Sequence, residues 1–109
     1  DGQEEREFLY AQDCCEALEI VMNNYNEFKS EDKLDITSFS SIKIIDLAKI
    51  IQKKFASMGK KVDIKPSIDT DTVQQNSKNV ASKYLLNWWT PLTSLDDGIE
   101  KVFKEMYQL

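Results

Sequence analysis

Arg6-Glu7-Phe8-Leu9-Tyr10, followed by Asp13-Cys14-Cys15-Glu16-Ala17-Leu18, is the stretch on which the fold turns. It reads as a short strand feeding a helix. In an extended segment side chains alternate, so Arg6, Phe8 and Tyr10 would share one face and Glu7 and Leu9 the other. A cation beside two aromatic rings suits an anionic, ring-bearing ligand better than plain packing does.

The helix is predicted over about Asp13 to Tyr25. Cys14, Ala17, Leu18, Val21, Met22 and Tyr25 form an apolar stripe at helical spacing. Asp13 is placed to cap the first amides, with Glu16 three residues on as in a capping box. A polar loop, 26–33, leads to a second short strand, Leu34–Thr37, and a turn at Ser38–Ser41. The next helix begins within Ser41–Ile44 and ends near Met58, where Gly59 stops it. Its stripe is Ile44, Leu47, Ala48, Ile51, Phe55 and Met58. Lys61–Lys65 alternates apolar and polar up to Pro66 and is predicted as a third strand. Ser67–Lys78 is a long polar loop, Asn79–Leu86 a short helix, and Ser94 caps a last helix carrying Leu95, Ile99, Val102, Phe103 and Met106. The order β-α-β-α-β-α-α predicts a small α/β domain of parallel strands with about four helices.

Composition narrows the function classes. The 109 residues carry 14 cations and 19 anions, a net charge of −5. Such a surface disfavours nucleic acid and anionic membrane as main partners. Lys53-Lys54 and Lys60-Lys61 flank a helix end and read as complements of its dipole. There is no histidine, and Asp69 and Asp71 lack a third ligand, so no metal is expected. Cys14 and Cys15 are neighbours that do not bridge and have no other cysteine to pair with, which points to a reducing, cytoplasmic setting. No span of about 20 apolar residues appears. The chain opens at Asp1 without an initiator methionine and reads as one portion, residues 1–109, of something longer.

Four segments resemble the NAD-dependent epimerases and dehydratases of nucleotide sugars, which are extended short-chain dehydrogenase/reductases. Arg6–Tyr10 with Asp13–Leu18 resembles that family's REFLYV-D-x-A-x-A segment. Leu34–Ser38 is similar to its YNIGSG strand and turn, and Ile42–Ile51 to the ISIKELAELI helix. Trp89–Ile99 resembles the W-x-P-x-T-S-L-x-x-G-I signature near the family's carboxyl end. The resemblance implies a carboxyl-terminal, substrate-binding portion. Its missing amino-terminal Rossmann domain would hold NAD(P). This chain has three glycines, not clustered, and none of its four tyrosines has a lysine four residues later. It therefore carries neither the family's dinucleotide fingerprint nor its catalytic Tyr-x-x-x-Lys.

The resemblance also implies site residues. Arg6 matches the arginine that contacts the diphosphate of the nucleotide sugar, and a guanidinium fork suits phosphate oxygens. The other reading of Arg6 is a structural ion pair with Glu4 or Asp13. Phe8 would flank the base or sugar, or else pack in the core. The family's second arginine has no counterpart; Gln74 and Gln75 are the nearest polar residues and would lend hydrogen bonds. Thr37 and Phe39 stand where the family's turn is glycine-rich, and Asn79 stands for its aspartate. Trp88 and Trp89 are expected to pack against the last helix. The partners implied are a nucleotide sugar, the Rossmann half and a second copy in a homodimer. The competing class is a non-catalytic binding or protein-interaction module on the same scaffold.

Overall fold

The computed structural model describes residues 1–28, 34–65 and 88–107. Among these, β1 is Glu5–Glu7, α1 is Ala11–Asn23, β2 is Ser41–Lys43, α2 is Ile44–Ser57 and α3 is Leu95–Tyr107, with a 3₁₀ turn at Tyr25–Glu27 after α1. The protein is small and mixed α/β. The chain divides into two compact units. One comprises Asp1–Glu7 and the stretch that begins at Ser41; the other comprises Phe8–Ser40 and the carboxyl-terminal stretch that holds Trp88 and α3.

In the first unit β1 pairs with β2 antiparallel, Glu5 opposite Lys43, Arg6 opposite Ile42 and Glu7 opposite Ser41. The parallel pairing expected from element order is thus corrected for the strands described. Alternation marks a face but not a direction, so the same pattern serves either ladder. The strand expected at Leu34–Thr37 is absent, and Ser41–Lys43, expected in a turn or helix start, is the strand that forms. Here β2 runs into α2 with no capping side chain at Lys43. Instead the first amides of the helix are taken by backbone: Ile44 N donates to Glu4 O at 2.9 Å and Ile45 N to Gly2 O at 2.8 Å. Four amides at a helix start lack partners within the helix, and the amino-terminal segment supplies two acceptors for them.

The other end of α2 follows the sequence closely. Gly59 takes φ +75°, its N–H bonds Ala56 O at 3.0 Å, and Lys60 N–H bonds Phe55 O at 2.9 Å. This is a Schellman closure, which needs the left-handed residue that glycine provides. Lys61–Lys65 alternates as predicted, with Val62 and Ile64 half-buried, but joins no ladder among the described residues. The Val62 carbonyl is taken by the Gln52 side-chain amide at 2.9 Å. The short helix expected at Asn79–Leu86 lies outside the described residues.

In the second unit the core is centred on Ala17 and Trp89, both buried, with Leu9, Ile20, Val21, Leu34, Ile36 and Phe39 packed around them. Leu34 and Ile36 pack against this core on irregular backbone. Phe39 also joins the core, although its φ of +56° is unusual for a bulky side chain. The Thr37 hydroxyl accepts from Phe39 N at 3.3 Å and helps hold the turn.

The expected stripe of α1 is rotated. The inward positions are Asp13, Ala17, Ile20 and Val21, while Leu18, Met22 and Tyr25 are exposed. Asp13 does not cap: the helix begins two residues earlier, with Tyr10 at the cap position and no side-chain bond there. Its carboxylate is buried and accepts from Thr93 N at 2.8 Å and from the Thr93 hydroxyl at 3.1 Å. Ser94 caps α3 as predicted, its hydroxyl accepting from Asp97 N at 3.1 Å. Along the α3 stripe Phe103 is buried, but Val102 and Met106 are exposed. Trp89 is buried with its indole N–H unpaired among the described residues, whereas Trp88 is exposed and meets Phe28 edge-on at 6.3 Å.

Two stability outcomes follow from this packing. Asp13→Ala removes an ionised acceptor of two bonds and should cost about 2 kcal/mol or more. Asp13→Asn, which keeps one oxygen, should cost less; urea midpoints measure both. Gly98 is buried inside α3, and an added Cβ would meet Tyr10 Cδ2 at 3.5 Å and Thr93 Cγ2 at 3.6 Å, ordinary contact distances. Gly98→Ala should therefore raise the stability by up to about 1 kcal/mol through helix propensity, seen as a higher urea midpoint.

Candidate functional site

Arg6 is the central residue of β1, and its strand neighbours are both glutamates. Strand alternation sends Glu5 and Glu7 to the face opposite Arg6, so the cation is not flanked on its own face by the adjacent carboxylates. Arg6 is half-buried, and its Nη1 donates to the Glu5 carbonyl at 2.9 Å. That bond folds the guanidinium back along its own strand. The scaffold beneath it is the extended ladder: β1 pairs with β2, and the same chain then closes the start of α2 through Glu4 and Gly2. On the exposed side, Lys43 Nζ reaches Gln3 Oε1 at 3.3 Å.

The strand stops at Glu7, so Phe8 and Tyr10 lie outside the ladder that carries Arg6. Phe8 belongs to the second unit and is 39% exposed, so it is not a core residue. Tyr10 is also in the second unit, packed near Gly98, with Lys101 Nζ 5.3 Å from its ring centroid. Gln74 and Gln75 lie outside the described residues. Sequence reasoning missed the part played by Asp13: a capping residue and a buried acceptor look alike until the distant Thr93 is in place. Cys14 is half-buried and Cys15 exposed, both as free thiols. Among the described residues no group of three His, Cys, Asp or Glu side chains is gathered to hold a metal. No described helix is long and apolar enough to cross a membrane.

The glycines do not fit a dinucleotide. Gly2 lies before β1, Gly59 closes the carboxyl end of α2 and Gly98 is inside α3. None stands in a turn from a strand into a helix amino terminus, where a pyrophosphate is cradled.

Gly2 does matter to the strand that carries Arg6. It has φ +80°, and a Cβ there would lie 3.0 Å from Ile45 Cβ and 3.3 Å from Ile45 N. Gly2→Ala should cost about 1–2 kcal/mol from the left-handed backbone alone. It should also speed hydrogen exchange at Ile45, whose amide bonds Gly2 O.

Comparison with known proteins adds one similarity. A curated protein named GDP-L-fucose synthase, from Sinorhizobium fredii (strain NBRC 101917 / NGR234), is 32% identical over 107 residues. The aligned region is 94% of this chain but 31% of that protein, so the chain spans about a third of the length of the relative it matches. No family model matches the chain. No solved structure matches it either.

Proposed function

We propose that these residues form the carboxyl-terminal, substrate-binding portion of an NAD(P)-dependent nucleotide-sugar epimerase, dehydratase or reductase of the extended short-chain dehydrogenase/reductase kind. The observation that carries the reading is the near end-to-end similarity to a protein named GDP-L-fucose synthase three times as long. The four motif resemblances, from Arg6 through Ile99, agree with it in order and spacing. Arg6 is the residue assigned to the ligand: its guanidinium offsets the charge of the diphosphate. Half-burial supports that role, because a cation partly withdrawn from water binds phosphate more strongly than a fully solvated one. Phe8, partly exposed, is available to line the base or sugar, and Gln74 and Gln75 are assigned to hydrogen bonds with the ligand.

NAD(P) belongs to the other part of the longer protein. The glycines here do not fit it, and no Tyr-x-x-x-Lys is present, so these residues bind and orient and no redox step is assigned to them. The Rossmann portion is the partner of this one in the same polypeptide.

The test uses the full-length protein that contains these residues, assayed with NAD(P) and a panel of nucleotide sugars beginning with GDP-linked ones. Arg6→Ala should raise KM at least about tenfold, a loss of roughly 1.4 kcal/mol, with kcat changed far less. Arg6→Lys should recover only part of it, since an ammonium lacks the fork. An unchanged KM for Arg6→Ala overturns the assignment of Arg6. Absence of turnover with every nucleotide sugar overturns the reading as a whole.

A further inference from the structure

From the first unit we infer a second anion site, separate from Arg6, at the carboxyl end of α2, which takes a small ligand bearing two or more phosphate charges. The stretch from 43 to 65 holds seven lysines and two aspartates, half of all the cations in a chain of net charge −5. Three of them, Lys53, Lys60 and Lys61, line one concavity of about 510 Å³ together with Gln52, Ala56 and Val62. That volume falls within the range of small-molecule sites, about 300–1,000 Å³. Among the described residues no carboxylate lines it.

The backbone explains how the three lysines come to line one concavity. Lys53 lies on the last turns of α2. The left-handed Gly59 reverses the chain, so that Lys60 and Lys61 return beside the helix they have just left. Gln52 fastens the returning strand by its bond to the Val62 carbonyl, and Ala56 and Val62 give the concavity an apolar floor.

The bland reading of these lysines is that they complement the helix dipole and bond its terminal carbonyls. The hydrogen bonds weigh against it. The Phe55 and Ala56 carbonyls accept from Met58, Gly59 and Lys60 backbone amides, and the Lys54 carbonyl accepts from the Ser57 hydroxyl at 2.6 Å. Those acceptors are taken by backbone amides and a serine hydroxyl. Lys53 and Lys61 form no hydrogen bond or ion pair among the described residues, and both are exposed. Like charges held together on one concave surface repel, and an anion of matching charge relieves that repulsion. Ammonium groups suit a phosphate as flexible point charges, with no need for a fork.

The experiment is an amide-shift titration of the isotope-labelled full-length protein that contains these residues with sodium pyrophosphate, ADP and a hexaglutamate peptide in parallel, at low and high salt. Saturable shifts centred on Gln52–Val62 with pyrophosphate or ADP, weakening as salt rises, support the site. Lys53→Ala combined with Lys60→Ala and Lys61→Ala should weaken binding at least about tenfold. Lys49→Ala, outside the concavity and beside Asp46, should leave it within about twofold, as expected of a screened surface charge. All four lysines are exposed, so these variants should retain the fold, and the unshifted spectrum checks this directly. No saturation, shifts spread evenly over every lysine, or binding of hexaglutamate in preference to both phosphates would each overturn the proposal.

Discussion

The carboxylate of Asp13 is the fastening on which the second unit depends. It is 2% exposed, yet it accepts two hydrogen bonds from Thr93, a residue eighty positions away. A buried charge without such partners would cost several kcal/mol, so the helix and the distant segment must arrive together. Once Asp13 is turned inward, helical geometry sets the rest: Ala17, Ile20 and Val21 follow it round to the same side. Trp89 stands four residues before Thr93 and completes the core against Ala17. The same link seats Ser94 to open α3. One acidic side chain thereby orients α1, positions the segment at 88–94 and starts the last helix.

The first unit is held by a different economy, in which backbone meets backbone. Three-residue strands make a weak ladder on their own. It is lengthened by the bonds from Ile44 and Ile45 to Glu4 and Gly2, which also close the open amides of α2. Strand and helix therefore share one hydrogen-bonded seam. Arg6 sits in the middle of that seam, on a short rigid element rather than a loop. This is the circumstance in which a single cation can be presented at a reproducible place. At the far end of α2 a glycine closure does similar work for the lysines, since it turns a linear run of charge into a concave one.

The two proposed anion contacts differ in kind. Arg6 is half-buried, flanked in sequence by glutamates, and folded onto its own strand. The lysines are exposed, clustered and open to solvent. A partly desolvated guanidinium favours a ligand of fixed geometry, whereas mobile ammonium groups favour charge over shape.

The sequence by itself determined the places where local chemistry decides: the helices α1, α2 and α3, the serine cap at Ser94 and the glycine stop at Gly59. Those depend on neighbours within a few residues, and periodicity and capping report them directly. Tertiary structure alone decided strand direction, the strand at Ser41–Lys43, the end of β1 at Glu7, and the rotation of α1. Alternation is blind to direction, and a three-residue strand leaves too short a pattern to read. The rotation was hidden because hydrophobic spacing places Leu18, Met22 and Tyr25 inside and an aspartate outside, and only a donor eighty residues away reverses that preference. Arg6 was legible as a cation on a strand. The lysine concavity was legible only as two basic doublets, because bringing them face to face requires the turn at Gly59.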